Sequence, residues 1–510
     1  MLELDPAACY RVLQTRDPRF DGRLFVGVTS TGIYCRPICP ARTPKPENCR
    51  FFATAAAAGA AGFRPCLRCR PETAPGQGSW RGTSNTVSRA LRLIADGGLD
   101  QEACVGALAD RLGVGERQLR RLFQQHLGAS PVAIAQTRRI HFAKQLIQET
   151  RLPMTEVAMA SGFGSVRRFN DTFLKLFKRP PSELRRRSLR QTEAAGAAAP
   201  VILRLSYRGP YDWNAMLGFL SARAIAGVEQ VEASRYRRVV RLDGEIGVIE
   251  VSHLAARKCI VVAIRFPNVR ALPAIVSRVR RLFDLDADID VIGAHLSQDA
   301  RLADLVARRP GLRAPGSWDG FELAIRAILG QQVTLQAGRT MAGRLTAICG
   351  TQLNDGELLS RAFPTPQQVA LADLSTMGLT TARRAALQSL AVAAVNDPRL
   401  FESATSLDEA VARFRALPGI GEWTAQYIAL RALREADAFP AADIGLMQGF
   451  AGEGGLRPSP KELLDQAEGW RPWRAYAAQH LWAAYAEAPR KAPARKVPPR
   501  PAQQVVAVHA

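Results

Sequence analysis

At 510 residues the chain is too long for one hydrophobic core, and its size alone predicts three or four domains. The formal net charge of +23 indicates a polyanionic partner, with nucleic acid as the leading candidate and a membrane surface as the alternative. No apolar run approaches the roughly 18 to 20 residues of a membrane-spanning helix, and the nine cysteines fit a reducing compartment, so we expect a cytoplasmic protein without a membrane partner.

Changes in composition divide the chain. Two stretches, Pro71–Ser84 with its many turn formers and the Ala/Gly-rich Gln191–Pro200, are predicted linkers. After about residue 488 the sequence is rich in proline and basic residues, which cannot bury a core and predict a disordered tail. The predicted domains are residues 1–76, 85–190, 201–285 and 286–488, and residues 489–510 are the predicted tail.

The first segment carries two short cysteine pairs separated by a longer loop, Cys35-x3-Cys39 and Cys66-x2-Cys69. Zinc prefers four soft ligands in a tetrahedron, so this spacing predicts one zinc ion held by all four thiolates. Four thiolates around one Zn²⁺ leave a net charge of about −2, and the sulfurs stay ionised and nucleophilic. A purely structural zinc site is the alternative, because four-thiolate zinc usually has that role.

The sequence around these cysteines resembles the methyl-phosphotriester repair domain of Ada-type proteins. The resemblance lies in Thr31-Gly-Ile-Tyr-Cys-Arg-Pro-Ile-Cys39 and in Gly62-Phe-Arg-Pro-Cys-Leu-Arg-Cys69. It implies that Cys35 irreversibly accepts a methyl group from a methylated DNA phosphotriester. Such a transfer changes the cluster charge from about −2 to about −1, which weakens repulsion from DNA phosphates and suffices as a switch for tighter DNA binding.

The second segment, residues 85–190, holds about twenty Lys and Arg residues against about nine acidic ones, which marks a domain that faces nucleic acid. It contains one pattern twice, an apolar helix, a turn with glycine and a second, basic helix. The first unit is Val105–Arg111 with Glu116–Phe123, and the second is Thr155–Ser161 with Ser165–Phe177.

The basic helices of both units present polar side chains outward, and these are predicted to contact DNA. They are Arg117, Gln118, Arg120, Arg121, Ser165, Arg167, Arg168 and Asn170. For any single arginine, a solvated helix face is an equal alternative. The doubled layout, with a long helix Val132–Glu149 between the units and Pro180-Pro-Ser-Glu-Leu184 after them, resembles AraC-type transcription regulators.

From residue 201 to about residue 285, β-rich runs are interspersed with helical stretches, and beyond about Asp286 the pattern is helical throughout. The β-rich runs are Tyr236–Leu242, Gly247–Val251 and Lys258–Ile264, and the helical stretches are Tyr211–Ala222 and Val269–Phe283. The sequence therefore predicts an α+β part followed by an all-α part.

Within the helical part lies the hairpin Leu417-Pro-Gly-Ile-Gly-Glu-Trp423. Gly419 and Gly421 permit the tight turn, and the amides that open the next helix can bind a DNA phosphate without reading any base. Such hairpins occur in many DNA-binding proteins, so nonspecific backbone binding is the alternative to a catalytic role.

An aspartate follows this hairpin in Phe439-Pro-Ala-Ala-Asp443, at the spacing of helix-hairpin-helix glycosylases. The region of about residues 201–488 resembles AlkA-type 3-methyladenine DNA glycosylases. The matching motifs include Arg309–Pro315, Phe321–Gln331 and Trp470–Tyr476. The resemblance implies that Asp443 is catalytic and stabilises positive charge on the sugar.

By the same resemblance, Trp423, Tyr427 and Trp482 line the pocket for the flipped base, although buried aromatic residues are ordinarily core residues. Related enzymes that also cut the strand carry a lysine at the position of Trp423. No amine is available here, so the chain is expected to hydrolyse the glycosidic bond without lyase activity.

One departure from the AlkA pattern concerns the residue that fills the gap left by the flipped base. The family inserts a leucine there, and this chain has Gln332, which leaves the lesion range open. The family also binds a monovalent cation through hairpin carbonyls, here those around Leu417 and Ile420.

Together these patterns predict a multidomain protein, mainly α with α+β parts. Its parts are a small zinc domain, an AraC-type double helix-turn-helix, an α+β subdomain and an all-α helix-hairpin-helix glycosylase core. The hypothesis is a monomer that senses methylation damage chemically, activates transcription from promoter DNA with RNA polymerase as a partner, and excises alkylated bases such as 3-methyladenine from damaged DNA. The alternatives are an AraC-type regulator with a catalytically inactive glycosylase-like domain, and a repair enzyme whose zinc site is only structural.

Overall fold

The structure is a computed structural model that describes residues 4–75, 85–99, 104–188, 200–353, 358–402, 406–452 and 455–487. The predicted tail and most of both predicted linkers lie outside these residues. Among the residues that it does describe, no helix has both the length and the apolar character needed to cross a bilayer.

The first domain is a four-stranded sheet with two helices. Its elements are α1 Pro6–Thr15, β1 Phe25–Val28, β2 Ile33–Cys35, β3 Cys49–Phe52, α2 Ala55–Ala60 and β4 Arg64–Pro65. The strand order is β3-β1-β2-β4, with β2 and β4 parallel. Because the amide of Cys66 donates to the carbonyl of Tyr34 at 3.0 Å, this parallel pairing brings the second cysteine pair beside Cys35.

The short turn Pro71–Thr73 after this sheet falls both in the predicted first domain, residues 1–76, and in the predicted linker Pro71–Ser84, and the linker prediction is wrong at these residues. The side chain of Glu72 is fully buried and forms an ion pair with the equally buried Lys144 at 2.7 Å. Turn-forming composition cannot reveal this, because the partner lies far along the chain.

The second domain has seven helices among its described residues, 85–99 and 104–188. They are α3 Asn85–Ala95, α4 Val105–Arg111, α5 Glu116–Leu127, α6 Pro131–Glu149, α7 Met154–Ala160, α8 Val166–Phe177 and α9 Pro181–Ser188. Helix α5 runs one turn beyond the predicted end because Leu127 continues the buried face of Leu119 and Phe123. Two helix-turn-helix units, α4–α5 and α7–α8, are therefore joined by the long helix α6.

The third part is a five-stranded antiparallel sheet with two helices. Its elements are β5 Val201–Ser206, α10 Trp213–Arg223, β6 Glu229–Glu232, β7 Arg235–Leu242, β8 Glu245–Leu254, β9 Cys259–Arg265 and α11 Leu272–Leu282. The order is β5-β9-β8-β7-β6. The two edge strands, β5 and β6, are not among the predicted runs, and the three inner strands are.

The fourth part is helical. Its elements are α12 Ile289–Leu296, α13 Ala300–Arg308, α14 Gly320–Leu329, α15 Leu335–Cys349, β10 Thr351–Gln352, β11 Arg361–Ala362, α16 Pro366–Leu371, α17 Thr381–Asn396, α18 Leu407–Arg415, α19 Glu422–Arg431, α20 Ile444–Ala451, α21 Pro460–Ala467 and α22 Arg474–Glu487. The expectation of helix throughout is wrong at the antiparallel pair β10–β11. Strands of two residues carry no alternating pattern that a sequence could show.

Candidate zinc centre and base pocket

The four cysteines of the first domain form one cluster, with all four sulfurs within 4.8 Å of one another. Cys39, Cys66 and Cys69 are buried, and Cys35 at the end of β2 is half-buried. The structure therefore brings together all four predicted ligands, and Cys35 is the most accessible of them.

The chemistry of this donor set fits a cation. Hydrogen bonding to the Cys39 thiol raises the pKa of Cys35 far above its ordinary value, and hydrogen bonding from Cys35 lowers the pKa of Cys39 to about 7. Four sulfurs this close cannot all be ionised unless a cation shares their charge. The four-cysteine geometry and its ligand type suit one Zn²⁺.

Backbone and side-chain donors surround the cluster. The amide of Arg36 donates to Cys69 Sγ at 3.4 Å, and the amide of Arg68 donates to Cys66 Sγ at 3.3 Å. The buried Arg36 guanidinium pairs with Asp21, with Nε 2.7 Å from Oδ1. The residue next to Cys35 thus places a buried cation close to the thiolates.

The eight polar residues predicted to contact DNA from the helix-turn-helix units are all exposed. Two of them also have local partners. Arg120 pairs with Glu116 of its own helix, with Nε 3.0 Å from Oε1, and Ser165 caps α8 by accepting from the amide of Arg168 at 3.2 Å. Both units therefore present polar faces, and the fold itself gives Ser165 a capping role.

The hairpin between α18 and α19 requires glycine at Gly419 and is braced by Gln331. Gly419 has a φ of +77°, and a β-carbon there would lie 2.5 Å from the β-carbon of Ala386, so this position requires glycine. Gln331 Nε2 donates to the Gly419 carbonyl at 3.0 Å. A β-carbon at Gly421 would meet only open space, and α19 begins directly after it.

Asp443 lies at the amino end of α20, where its carboxylate accepts three hydrogen bonds. The indole nitrogens of Trp423 and Trp482 donate to Oδ2 at 2.8 Å and to Oδ1 at 2.9 Å, and the amide of Leu446 donates to Oδ1 at 3.0 Å. The acid and two of the predicted pocket aromatics therefore form one hydrogen-bonded unit.

The third predicted aromatic, Tyr427, stacks on Trp423 with ring centroids 5.3 Å apart and planes 8° apart. It also meets Trp482 edge to face at 6.3 Å. Two residues on α19 and one on α22 thus form an aromatic cluster beside the carboxylate of Asp443.

The aromatic cluster also holds a charged residue, Arg431, that the sequence analysis did not predict. Arg431 is buried and lies over the rings of Tyr427, Trp482 and Phe219 at 5.7, 5.0 and 4.8 Å. Burial lowers the pKa of Arg431 to about 10. Burial alone would raise the pKa of Tyr427, but the cations of Arg223 and Arg431 outweigh it and lower the pKa below its ordinary value.

A sequence signal for part of this set exists. Arg431 follows Tyr427 by four residues on the same face of α19, which a helical wheel places beside the pocket. Phe219 and Arg223 come from α10 of the α+β part, about two hundred residues earlier, and no local pattern connects them to the pocket.

Gln332 lies exposed in the turn between α14 and α15 and has a φ of +54°, a conformation that residues other than glycine adopt at a cost. Its neighbour Gln331 is held at both ends, since its side chain reaches the hairpin and its carbonyl accepts from Arg383 at 2.6 Å. The turn therefore presents Gln332 outward on a braced loop. At the hairpin carbonyls where a monovalent cation is predicted, the carbonyl of Leu417 accepts from the amide of Ile420 at 3.2 Å, and the cation stays a prediction.

Three family models match the chain. They are the metal-binding domain of Ada over residues 8–72, a helix-turn-helix domain over residues 108–187 and the AlkA N-terminal domain over residues 202–319. Among solved structures, a 3-methyladenine DNA glycosylase from Archaeoglobus fulgidus matches with a TM-score of 0.50 at 21% identity, covering 56% of this chain and 98% of that one. At this identity the match shows a shared fold.

The chain is also similar to curated relatives. DNA-3-methyladenine glycosylase 2 of Escherichia coli is 35% identical, with 54% of this chain and 95% of that protein covered. The "Probable bifunctional transcriptional activator/DNA repair enzyme AlkA" of Mycobacterium tuberculosis is 41% identical over 477 residues, which cover 93% of this chain and 95% of that protein. The chain therefore belongs to the family of bifunctional proteins in which an Ada-type zinc domain and an AraC-type helix-turn-helix domain precede an AlkA-type glycosylase domain.

Proposed function

We propose that this chain is a methylation-damage response protein that excises alkylated bases such as 3-methyladenine and senses methylated DNA phosphotriesters. The observation that carries the proposed excision activity is the carboxylate of Asp443, held by the indoles of Trp423 and Trp482 in an aromatic cluster. This arrangement supports the proposal because it puts a negative charge next to aromatic rings on which a flat base could stack.

In the proposed excision, the bond between the sugar and the base breaks, and its electron pair leaves with the base. Positive charge then develops on the sugar, and the carboxylate of Asp443 stabilises it until water adds. Alkylated purines already carry positive charge and leave easily, so one carboxylate suffices. Because Trp423 occupies the position of a lyase lysine, no covalent amine intermediate forms.

The aromatic cluster of Trp423, Tyr427 and Trp482 stacks the flipped base. Its electron-rich faces attract a cationic base, while the buried Arg431 opposes it. Gln332 is proposed to fill the gap in the duplex through hydrogen bonds, and the amides beyond Gly421 to hold a DNA phosphate. The open space around Gly421 leaves room for that approach.

The proposed sensing reaction uses Cys35. Zinc held by the four thiolates would keep the sulfurs ionised. Cys35 Sγ attacks the methyl carbon, the carbon–oxygen bond breaks, and the phosphate regains its negative charge while Cys35 becomes an uncharged thioether. Each chain accepts one methyl group and cannot react again. Because the cluster is then less negative, the protein binds promoter DNA more tightly through the two helix-turn-helix units. We further propose that the protein is a cytoplasmic monomer and that RNA polymerase is one of its partners.

The test of excision is Asp443→Asn, which keeps the size of the side chain and its ability to cap α20. We expect base release from 3-methyladenine DNA to fall by about 10² to 10³-fold, as in other losses of one electrostatic contact to a transition state. Asp299→Asn is a matched control, because Asp299 also caps a helix and accepts from an indole, that of Trp470 at 2.9 Å. Undiminished base release by Asp443→Asn contradicts the proposal.

A further inference from the structure

The regulatory half of the chain, residues 4–188, and the glycosylase half, residues 200–487, share a hydrophobic core. Phe169 of α8 lies in the same buried cluster as Leu203 and Leu205 of β5. Helix α6 contacts strand β5 directly, and α7 of the second helix-turn-helix unit contacts the turn Val269–Ala271 of the glycosylase half. Composition alone places a domain boundary here, and the packing crosses it.

Ion pairs extend this contact along α3. Asp96 accepts a hydrogen bond from Ser277 at 2.6 Å and pairs with Arg281 at 2.7 Å, and both partners lie on α11 of the glycosylase half. Arg89 of α3 pairs at 3.5 Å with Glu435, which is buried in the glycosylase half. Such contacts fix the register of two packed surfaces as well as holding them together.

The zinc domain contacts the glycosylase half through the loop Asp21-Gly22-Arg23. Buried Arg208 of the glycosylase half donates from Nε to the Asp21 carbonyl at 3.3 Å, and Arg23 reaches back to pair with Asp288. Gly22 has a φ of +71°, and a β-carbon there would lie 2.4 Å from the carbonyl oxygen of Pro75 and 2.9 Å from Arg208. The backbone conformation and the Pro75 carbonyl require glycine at the centre of the loop, and Arg208 closes over it as a clamp.

This clamp lies one side chain away from the zinc cluster. Arg36, next to Cys35, pairs through its guanidinium with the Asp21 carboxylate and donates to the Cys69 carbonyl at 3.1 Å. The carbonyl of the same Asp21 accepts from Arg208. A continuous series of buried polar contacts thus runs from the cluster to the glycosylase half.

We propose that the glycosylase half is the docking surface of the regulatory half, and that the loop Asp21-Gly22-Arg23 carries methyl transfer at Cys35 into the glycosylase half. This rests on the proposed role of Cys35. Loss of one negative charge beside Arg36 strengthens its relative attraction to Asp21, which moves the loop against Arg208. Coupling of this kind is reciprocal, so DNA bound in the base pocket changes methyl acceptance by Cys35.

The docking surface is tested by cutting the folded full chain at a protease site introduced between residues 191 and 199. We expect the two halves to elute together at micromolar concentration. With Asp96→Arg and Glu435→Arg combined they should separate, and with Asp304→Arg, an exposed aspartate of the glycosylase half, they should stay together. Retained base excision before the cut shows that each variant is folded. Separation of the unmutated halves overturns the docking.

The coupling is tested by hydrogen exchange on the full chain after methylation of Cys35 with methyl iodide. A Cys104→Ser background removes the exposed thiol, and mass spectrometry locates the methyl group. We expect amide exchange at residues 206–212 and 284–290 to change by about fivefold or more, the lower end of ordinary coupling. Arg208→Gln should abolish the change, and Arg257→Gln, an exposed arginine of the same subdomain, should not.

Unchanged exchange at both segments in the methylated protein overturns the coupling. Because methyl iodide needs no DNA, this outcome differs from failure of the proposed function, in which methylated phosphotriester DNA leaves Cys35 unmodified. The two proposals therefore fail by separate measurements.

Discussion

The zinc cluster and the base pocket differ in how the chain assembles them. All four zinc ligands come from one stretch of 35 residues and meet through a single pair of strands, β2 and β4. The pocket takes side chains from α10, α19, α20 and α22, and its acid is held by two indoles. Ligands close in sequence depend on the metal for their geometry, whereas groups far apart depend on the packing of the whole glycosylase half.

The largest expected effect separates the two sites by removing one zinc ligand. Cys69→Ser should abolish zinc binding and methyl acceptance together, because a structural zinc contributes about 10 to 16 kcal/mol to the folding of small sites. Base release should stay measurable, since the pocket has its own core. Metal analysis and mass spectrometry of Cys35 check this, and zinc retained at full stoichiometry contradicts it.

A smaller effect is expected from Lys144→Met, which removes the cation buried against the zinc domain. The buried Glu72 then keeps Arg70 as a partner at 3.2 Å but loses Lys144, so we expect a loss of up to about 3 to 5 kcal/mol, the cost of a buried charge whose ion pair is broken completely. Urea unfolding should show this loss, and Lys175→Met at an exposed site should leave stability nearly unchanged. A loss equal to that of the control would show that the zinc domain does not depend on α6.

The variant Trp482→Phe removes a single hydrogen-bond donor from the base pocket, and we expect base release to fall. The ring is kept and the hydrogen bond to Asp443 Oδ1 is lost, which costs about 1.5 to 3 kcal/mol for a bond to a charged group, or about 10 to 100-fold in base release. Single-turnover kinetics measures it. Trp470→Phe, which loses the indole bond to Asp299, controls for the general effect of removing such a donor. Equal rates in wild type and Trp482→Phe would place the indole outside the chemistry.

The smallest effect is expected on the stability of the protein when the pH is lowered. Burial lowers the pKa of His141 to about 4, below its unfolded value of 6.5, so its contribution to stability is present at neutral pH and is lost as pH falls. Between about pH 7 and about pH 5 we expect a loss of about 2 kcal/mol, which His141→Gln should remove. Zinc-saturated protein, unfolded at a series of pH values, gives the comparison. Parallel curves for both proteins would contradict it.

The sequence predicted most of the local structure because local patterns carry it. The bounds of α4 and the three inner strands of the five-stranded sheet follow from apolar periodicity, and the cysteines follow from their spacing. Arg431 was not predicted, although it follows Tyr427 by about one helical turn, because that spacing does not show whether the arginine is buried. The contact between the halves was not predicted either, since a shared core leaves no mark on either segment alone.

The hydrophobic core that the two halves share has a consequence for how this gene can change. In the present chain each half covers an apolar face of the other. If the gene were split between the codons for residues 188 and 200, each of the two products would expose that face to water. Such products would aggregate unless both faces first acquired polar substitutions. The solubility of the two halves therefore favours keeping them in one gene, independently of any advantage in producing sensor and repair enzyme together.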